Sequence, residues 1–216
     1  MRDGFVGVKN FHLAPITDTE SLTYDTPIDI GSKAGLVAIQ ASRSTNESPA
    51  YANDEVWINA RTDTGGEGTI SIRDISDETV RETIADLSGY LVTAEGDVLA
   101  LSDVAPKPCA ILCEQTGYIH GRRKLFYYCE LGKPDFEANS KEENASVGQI
   151  DIPFTYRPAQ LAPGVSATTR DSFYGNSTYD NFFQAVVKTV TAKAASAGGA
   201  NAGGENAGGA NAGGEG

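Results

Sequence analysis

No apolar run in the sequence approaches the ~18 residues that would mark a membrane-spanning helix. The opening MRDGFVGVKN also lacks the apolar stretch of a secretory leader. Together these gaps predict a soluble protein made and kept in the cytosol, with no membrane partner. Positive charge is scarce as well: 17 Lys and Arg stand against 29 Asp and Glu, for a formal net charge of −12. Gripping nucleic acid by neutralising phosphates needs a basic face, so that mode is disfavoured. A surface past which nucleic acid slides without sticking fits the same charge. Catalytic signatures are missing too. There is no G-x-S-x-G, no Walker loop and no H-E-x-x-H. The two histidines, His12 and His120, have no Cys or Asp partner at a recognisable ligand spacing. No catalytic residue, cofactor or metal site is expected.

Cysteine is sparse and odd in number: Cys109, Cys113 and Cys129, which fits reduced thiols. Cys109 and Cys113 resemble a metal pair only until they are placed on a strand, KPCAILCEQ. At ~3.3 Å per residue they stand roughly 13 Å apart, too far for one zinc or one disulfide. Buried thiols are the better reading. The acidic run KEENAS (Lys141–Ser146), preceded by Asp135 and Glu137, does not match a calcium-binding EF-hand loop and reads as a solvated loop. From about Ala194 the chain runs AASAGGANAGGENAGGANAGGEG, with nothing larger than Asn or Glu. Such a segment cannot bury enough apolar surface to offset its backbone entropy, and Gly does not recur every third residue as collagen requires. The expected organisation is one β domain over residues 1–193 and a flexible tail over 194–216.

What is present is alternation. VWINART, GTISIRDI, RKLFYYCEL and GQIDIPFTYRP each set apolar residues against polar ones with period two, the mark of strands with one buried face. RKLFYYCEL sets Leu125, Tyr127, Cys129 and Leu131 against Phe126, Tyr128 and Glu130. Pro153 would cost a ladder hydrogen bond, which predicts an edge strand or a bulge there. TDTGGEGTI joins two strands and reads as a hairpin turn. One helix is expected, capped by Ser76, with Asp77 and Glu78 in its first turn and Val80, Ile84 and Leu87 on one face, ending at Gly89. NFFQAVVKTVTAKA (Asn181–Ala194) suits a helix or a strand. The fold expected is all-β, a sandwich or barrel of antiparallel strands with one flanking α-helix and a disordered C-terminal tail.

Two surface features remain. GYIHGRRKLFYY holds the one basic cluster, Arg122, Arg123 and Lys124, beside the turn marked by Gly117 and Gly121. It reads as a basic turn meeting an acidic neighbour, or as a plain exposed turn. SRSTNESPAYANDEVW, residues Ser42–Trp57, is too long and polar for a tight turn and reads as a loop.

The order of the landmarks is what identifies a relative. GVKNFHLAPI with Lys9 and Asn10 is followed by GSKAGLVAIQASRS and by Tyr51-Ala52-Asn53-Asp54. TGGEGTISIRDIS then leads into the helix and Leu87-Ser88-Gly89-Tyr90, and the Ala110–Glu114, KLFYYC and IDIPFTYRP strands complete the series. Over roughly residues 4 to 158 this series resembles the major tail proteins, the tail tube subunits, of long non-contractile-tailed bacteriophages of the phi13/TP901-1 kind. The resemblance implies a virion structural protein, assembled in the host cytoplasm as homohexameric rings stacked into a tube. It implies a tape-measure protein in the lumen, tail terminator and distal tail proteins at the ends, and genomic DNA passing through at ejection without specific binding. It also implies a long loop between early strands that bridges one ring to the next. Ser44, Asn46, Glu47, Tyr51, Asn53 and Asp54 are then the candidate assembly residues. An alternative is a monomeric β-sandwich binding or virion decoration module, carbohydrate-binding for instance, contacting its target through Tyr118 and Tyr174. An enzyme is disfavoured by the missing catalytic set.

Overall fold

The computed structural model describes residues 5–52, 55–117, 119–134 and 148–191, and for residues 5, 48–52 and 55–61 the backbone pairing alone. The elements, in chain order, are β1 (Phe5–Asp18), β2 (Thr23–Tyr24), β3 (Ile28–Asp29), α1 (Gly31–Ala34), β4 (Leu36–Ala52), β5 (Glu55–Ile72), α2 (Glu78–Leu87), β6 (Tyr90–Val92), β7 (Val98–Ala100), β8 (Pro108–Gly117), β9 (Arg122–Leu131), β10 (Ile150–Arg157), β11 (Ala159–Ala162), β12 (Val165–Ala167) and β13 (Thr169–Phe173). The fold is all-β and antiparallel, as the alternation predicts. No helix among the described residues is long and apolar enough to cross a membrane.

One nine-stranded sheet carries the fold, in the order β2-β1-β8-β9-β10-β5-β4. β3 joins the outer side of β1, and β9 divides its second edge between β13 (Arg122–Phe126) and β10 (Tyr128–Leu131). The sheet curls until β4 lies against β1, so its concave face is nearly enclosed. That face holds the inner core, including Phe11, Leu13, Ile70, Ile72, Phe126, Ile152, Phe154 and Tyr156. Val80, Ile84 and Leu87 of α2 close it at one end, as their spacing predicts. A second core lies on the convex face, with Leu112, Leu125, Tyr127 and Phe182.

Burial on both faces explains why β9 departs from simple alternation. Leu125 to Cys129 are all buried. The pairing jumps from Ile111↔Phe126 to Cys109↔Cys129, a bulge that returns Cys129 and Leu131 to the inner core with Phe126, while Leu125 and Tyr127 join the outer one.

Several local expectations are corrected. The cap of α2 is Asp77, whose carboxylate accepts the Val80 N–H at 3.2 Å. Ser76 is unavailable because Asp74 takes both its N–H (2.8 Å) and its hydroxyl (2.6 Å) in an Asx turn. A short second helix, α1, precedes β4. β10 is no edge strand; it pairs with β5 and β9 in unbroken register. Pro153 is tolerated because its carbonyl accepts from the Gly132 N–H (2.7 Å) just past the end of β9, so its missing donor faces a side where the ladder has stopped. The segment 174–191 is neither helix nor strand. It turns across the convex face, buries Phe182, and its Val187 carbonyl accepts from the Tyr127 hydroxyl at 2.9 Å. The expected boundary at residue 193 and the tail lie outside the described residues, as does KEENAS.

Candidate assembly surface

TDTGGEGTI is not a turn. It runs straight through the middle of β5. The glycines are there for close approach: Gly66 stands opposite Tyr156 and Gly68 opposite Phe154 on β10. A Cβ on Gly66 would come within 1.9 Å of the Ser42 carbonyl and 2.7 Å of the Tyr156 hydroxyl; one on Gly68 would meet Phe154 at 2.5 Å. The aromatic rings of β10 therefore lie on bare backbone of β5. Gly65, at φ +107°, adopts a conformation that side chains disfavour, and there β5 leaves β10 behind.

Beyond Gly65, β5 pairs with β4 alone. The register runs Thr45↔Asp63, Asn46↔Thr62, Glu47↔Arg61 and onward to Tyr51↔Val56 and Ala52↔Glu55. The polar stretch read from sequence as a loop is therefore two arms of a long hairpin. At ~3.3 Å per residue, the arms from Ser44 to Ala52 reach on the order of 27 Å past the end of β10. Residues 41–47 are exposed. Among the described residues, no strand pairs with the outer side of β4.

Asp63 clamps the base of this ribbon. It accepts the Gly65 N–H (3.0 Å) and the Thr168 hydroxyl (2.8 Å), and Arg43 approaches it at 4.0 Å. Arg43 also donates to the Thr169 hydroxyl at 3.3 Å. The Tyr156 hydroxyl donates to the Ser42 carbonyl (2.8 Å), and the Thr64 hydroxyl to the Ser44 carbonyl (2.9 Å). These bonds fix the angle at which the ribbon leaves the body. Of the candidate residues, Ser44, Asn46, Glu47 and Tyr51 lie on the β4 arm, while Asn53 and Asp54 lie outside the described residues. Asp63 was missed in the sequence, where an acid beside glycines reads as turn composition.

The basic cluster has a different location from the one expected. Arg122, Arg123 and Lys124 begin strand β9, and each has a partner within the chain. Arg122 donates to the Gln115 side chain at 2.8 Å, Lys124 to Asp171 at 3.3 Å, and Arg123 to Glu114 at 3.1 Å. Glu114, 4% exposed, also takes Lys9 (3.3 Å) and Asn10 (3.1 Å). Asn10 reaches it from a bulge in β1, at φ 53°, where Asn is among the few tolerant residues. Arg123 stacks on Tyr179 at 3.9 Å and donates to the Tyr179 carbonyl. Both carboxylate oxygens are thus engaged, and Gly121 lies so close that a Cβ there would be 2.5 Å from one of them. The cluster is a structural brace that fastens the C-terminal segment to the sheet.

His12 stacks on Phe183 at 4.7 Å and His120 on Tyr174 at 3.7 Å. The three cysteines are free and buried, and burial pushes the Cys109 and Cys113 thiols up to about 12. No cluster of metal-ligating side chains occurs among the described residues. No protein-family model matches the sequence, and no curated protein matches it.

Proposed function

We propose that this chain is a structural subunit that polymerises with copies of itself into stacked rings, the tail tube of a long non-contractile bacteriophage tail, and has no enzymatic role. The observation that carries the reading is the β4–β5 ribbon. Two antiparallel strands standing alone in water are marginally stable at best, and an open edge of this length invites pairing with another chain. A second copy supplies both the missing packing and the missing edge. Contact between unlike surfaces of identical subunits gives a ring where the rotation closes and a filament where it does not. The net charge of −12 suits a conduit whose walls must not hold DNA phosphates. In this reading the tape-measure protein fills the lumen before ejection, and terminator and distal tail proteins occupy the ends.

The test is negative-stain electron microscopy and sedimentation of the purified full-length protein over a range of concentrations. Rings or tubes are expected. A protein that stays monomeric at every concentration, alone and when seeded with pre-formed tail tips, overturns the proposal.

A further inference from the structure

Two of the three cysteines are brought together by the sheet. β8 and β9 pair antiparallel with Cys109 in register with Cys129. Directly opposed residues of such a pair share a face and hold their Cα atoms about 4.5–5.5 Å apart, inside the ~4.4–6.8 Å that a disulfide spans. Both side chains belong to the inner core, and both are fully buried. Cys113 stands four residues further along β8, opposite Lys124, and at roughly 13 Å from Cys109 it is out of reach. The fold therefore holds one pair of apposed thiols and one single thiol.

Burial keeps the pair reduced while the sheet is closed. It holds the Cys109 thiol up at about 12 and the Cys129 thiol well above its usual range, where the neighbouring Cys109 sulfur adds to the effect. Oxidation must wait for an opening, and the surroundings of Cys109 supply one. Cys109 follows Pro108 on β8 and stands opposite Pro15 on β1. Neither proline has an N–H to give to the ladder. Just upstream, residues 101–107 are all exposed. On β9, the bulge leaves Tyr127 and Tyr128 without a register partner on β8. This end of the β8–β9 ladder is short of hydrogen bonds, so it opens locally at less cost than the sheet as a whole.

We infer that Cys109 and Cys129 form a redox lock, a cross-strand disulfide made when the chain meets a peroxide. One thiolate attacks a peroxide oxygen, the O–O bond breaks, and the hydroxide released takes up a proton to become water. The sulfenic acid left behind is attacked by the opposite sulfur. The S–S bond forms, the S–O bond breaks, and the second oxygen leaves as water with the remaining thiol proton. Two thiols are oxidised and one peroxide is reduced to two waters. The bond closes a loop of about 20 residues and fixes the register just past the bulge, which restricts the unfolded chain and stabilises the folded one. The lock belongs to the single subunit and stands apart from the assembly reading.

The test exposes the folded full-length protein to hydrogen peroxide at 37 °C, with circular dichroism monitored throughout. Peptide mapping after alkylation in denaturant is expected to find Cys109 joined to Cys129 within one chain. The melting temperature should rise by on the order of 5 °C and return to its starting value with dithiothreitol. Cys113→Ala should behave as wild type. Cys109→Ala and Cys129→Ala should each show no difference between their own peroxide-treated and untreated melting temperatures, a comparison that holds even where the substitution itself lowers stability. The inference is overturned if Cys109 and Cys129 both remain alkylatable, or if either is found joined to Cys113 or to another chain instead. A 109–129 bond that leaves the melting temperature unchanged or lowers it overturns the lock as well.

Discussion

Strand β5 lives in two environments. From Gly66 to Ile72 it is paired on both sides, and Ile70 and Ile72 are fully buried in the inner core. From Glu55 to Gly65 it is paired on one side only, with β4. Both parts are extended and joined by a register shift at Gly65, but different forces hold them. In the body, apolar burial at ~25 cal/mol per Å² dominates. In the ribbon the ladder hydrogen bonds remain, each worth about 1 kcal/mol net, against the entropy of ordering both arms. The lesson is that extended structure can be dictated without a buried face when partner strands and a clamped base impose it.

Substitutions in the body should therefore strike stability. Phe126→Ala is expected to have the largest effect. Phe126 is 2% exposed and meets Phe154 at 5.7 Å and Tyr156 at 5.1 Å, both edge to face. Losing it costs about 3–5 kcal/mol, which lowers the melting temperature by on the order of 10 °C in a calorimetric scan. A loss under about 1 kcal/mol would mean that the inner core is not what holds the sheet closed.

Glu114→Ala should come next, at about 3 kcal/mol, because it leaves Arg123, whose side chain is 16% exposed, without its carboxylate. The character of the loss differs from that of Phe126→Ala. Hydrogen exchange should quicken in the C-terminal segment around Tyr179 and Phe182 before it quickens in β10 and β5. Uniform loss of protection would show that the brace and the inner core unfold as one unit.

This contrast also explains what the sequence made legible. Ile150, Ile152, Phe154 and Tyr156 alternate because one face of β10 is buried, and Val80, Ile84 and Leu87 fall on one helix face for the same reason. Those elements were readable because solvent imposes a period. The ribbon has solvent on both sides of its proximal arms, so Ser42 to Glu47 follow no period and read as a loop. β9 is buried on both faces and bulged, which blurs its alternation from the other direction. Gly66 and Gly68 read as turn residues in the sequence alone, yet their spacing matches Phe154 and Tyr156 on β10, a signal that needs the strand pairing before it can be seen. Arg123 and Glu114 lie on adjacent strands, and the bulge that brings Asn10 to them has no local signature beyond Asn itself.

The smallest stability effect is expected where the assembly effect is greatest. Thr45 and Asp63 are cross-strand partners, so residues 46–62 can be replaced by Asn-Gly, a two-residue hairpin turn, without disturbing the Asp63 clamp. The shortened subunit keeps the inner core, the Glu114 brace and the Gly66–Tyr156 contact, so its melting temperature should stay within about 2 °C of wild type, under ~1 kcal/mol. Removing Thr45–Ala52 alone would strand one arm without its partner, which is why both arms must go. Ring stacking should cease, read as the absence of tubes by electron microscopy and a single slow species by sedimentation. Normal polymerisation of this variant would place the assembly contact elsewhere on the sheet. A large drop in melting temperature would instead make the ribbon part of the folding core, and the division between the two ends of β5 would have to be abandoned.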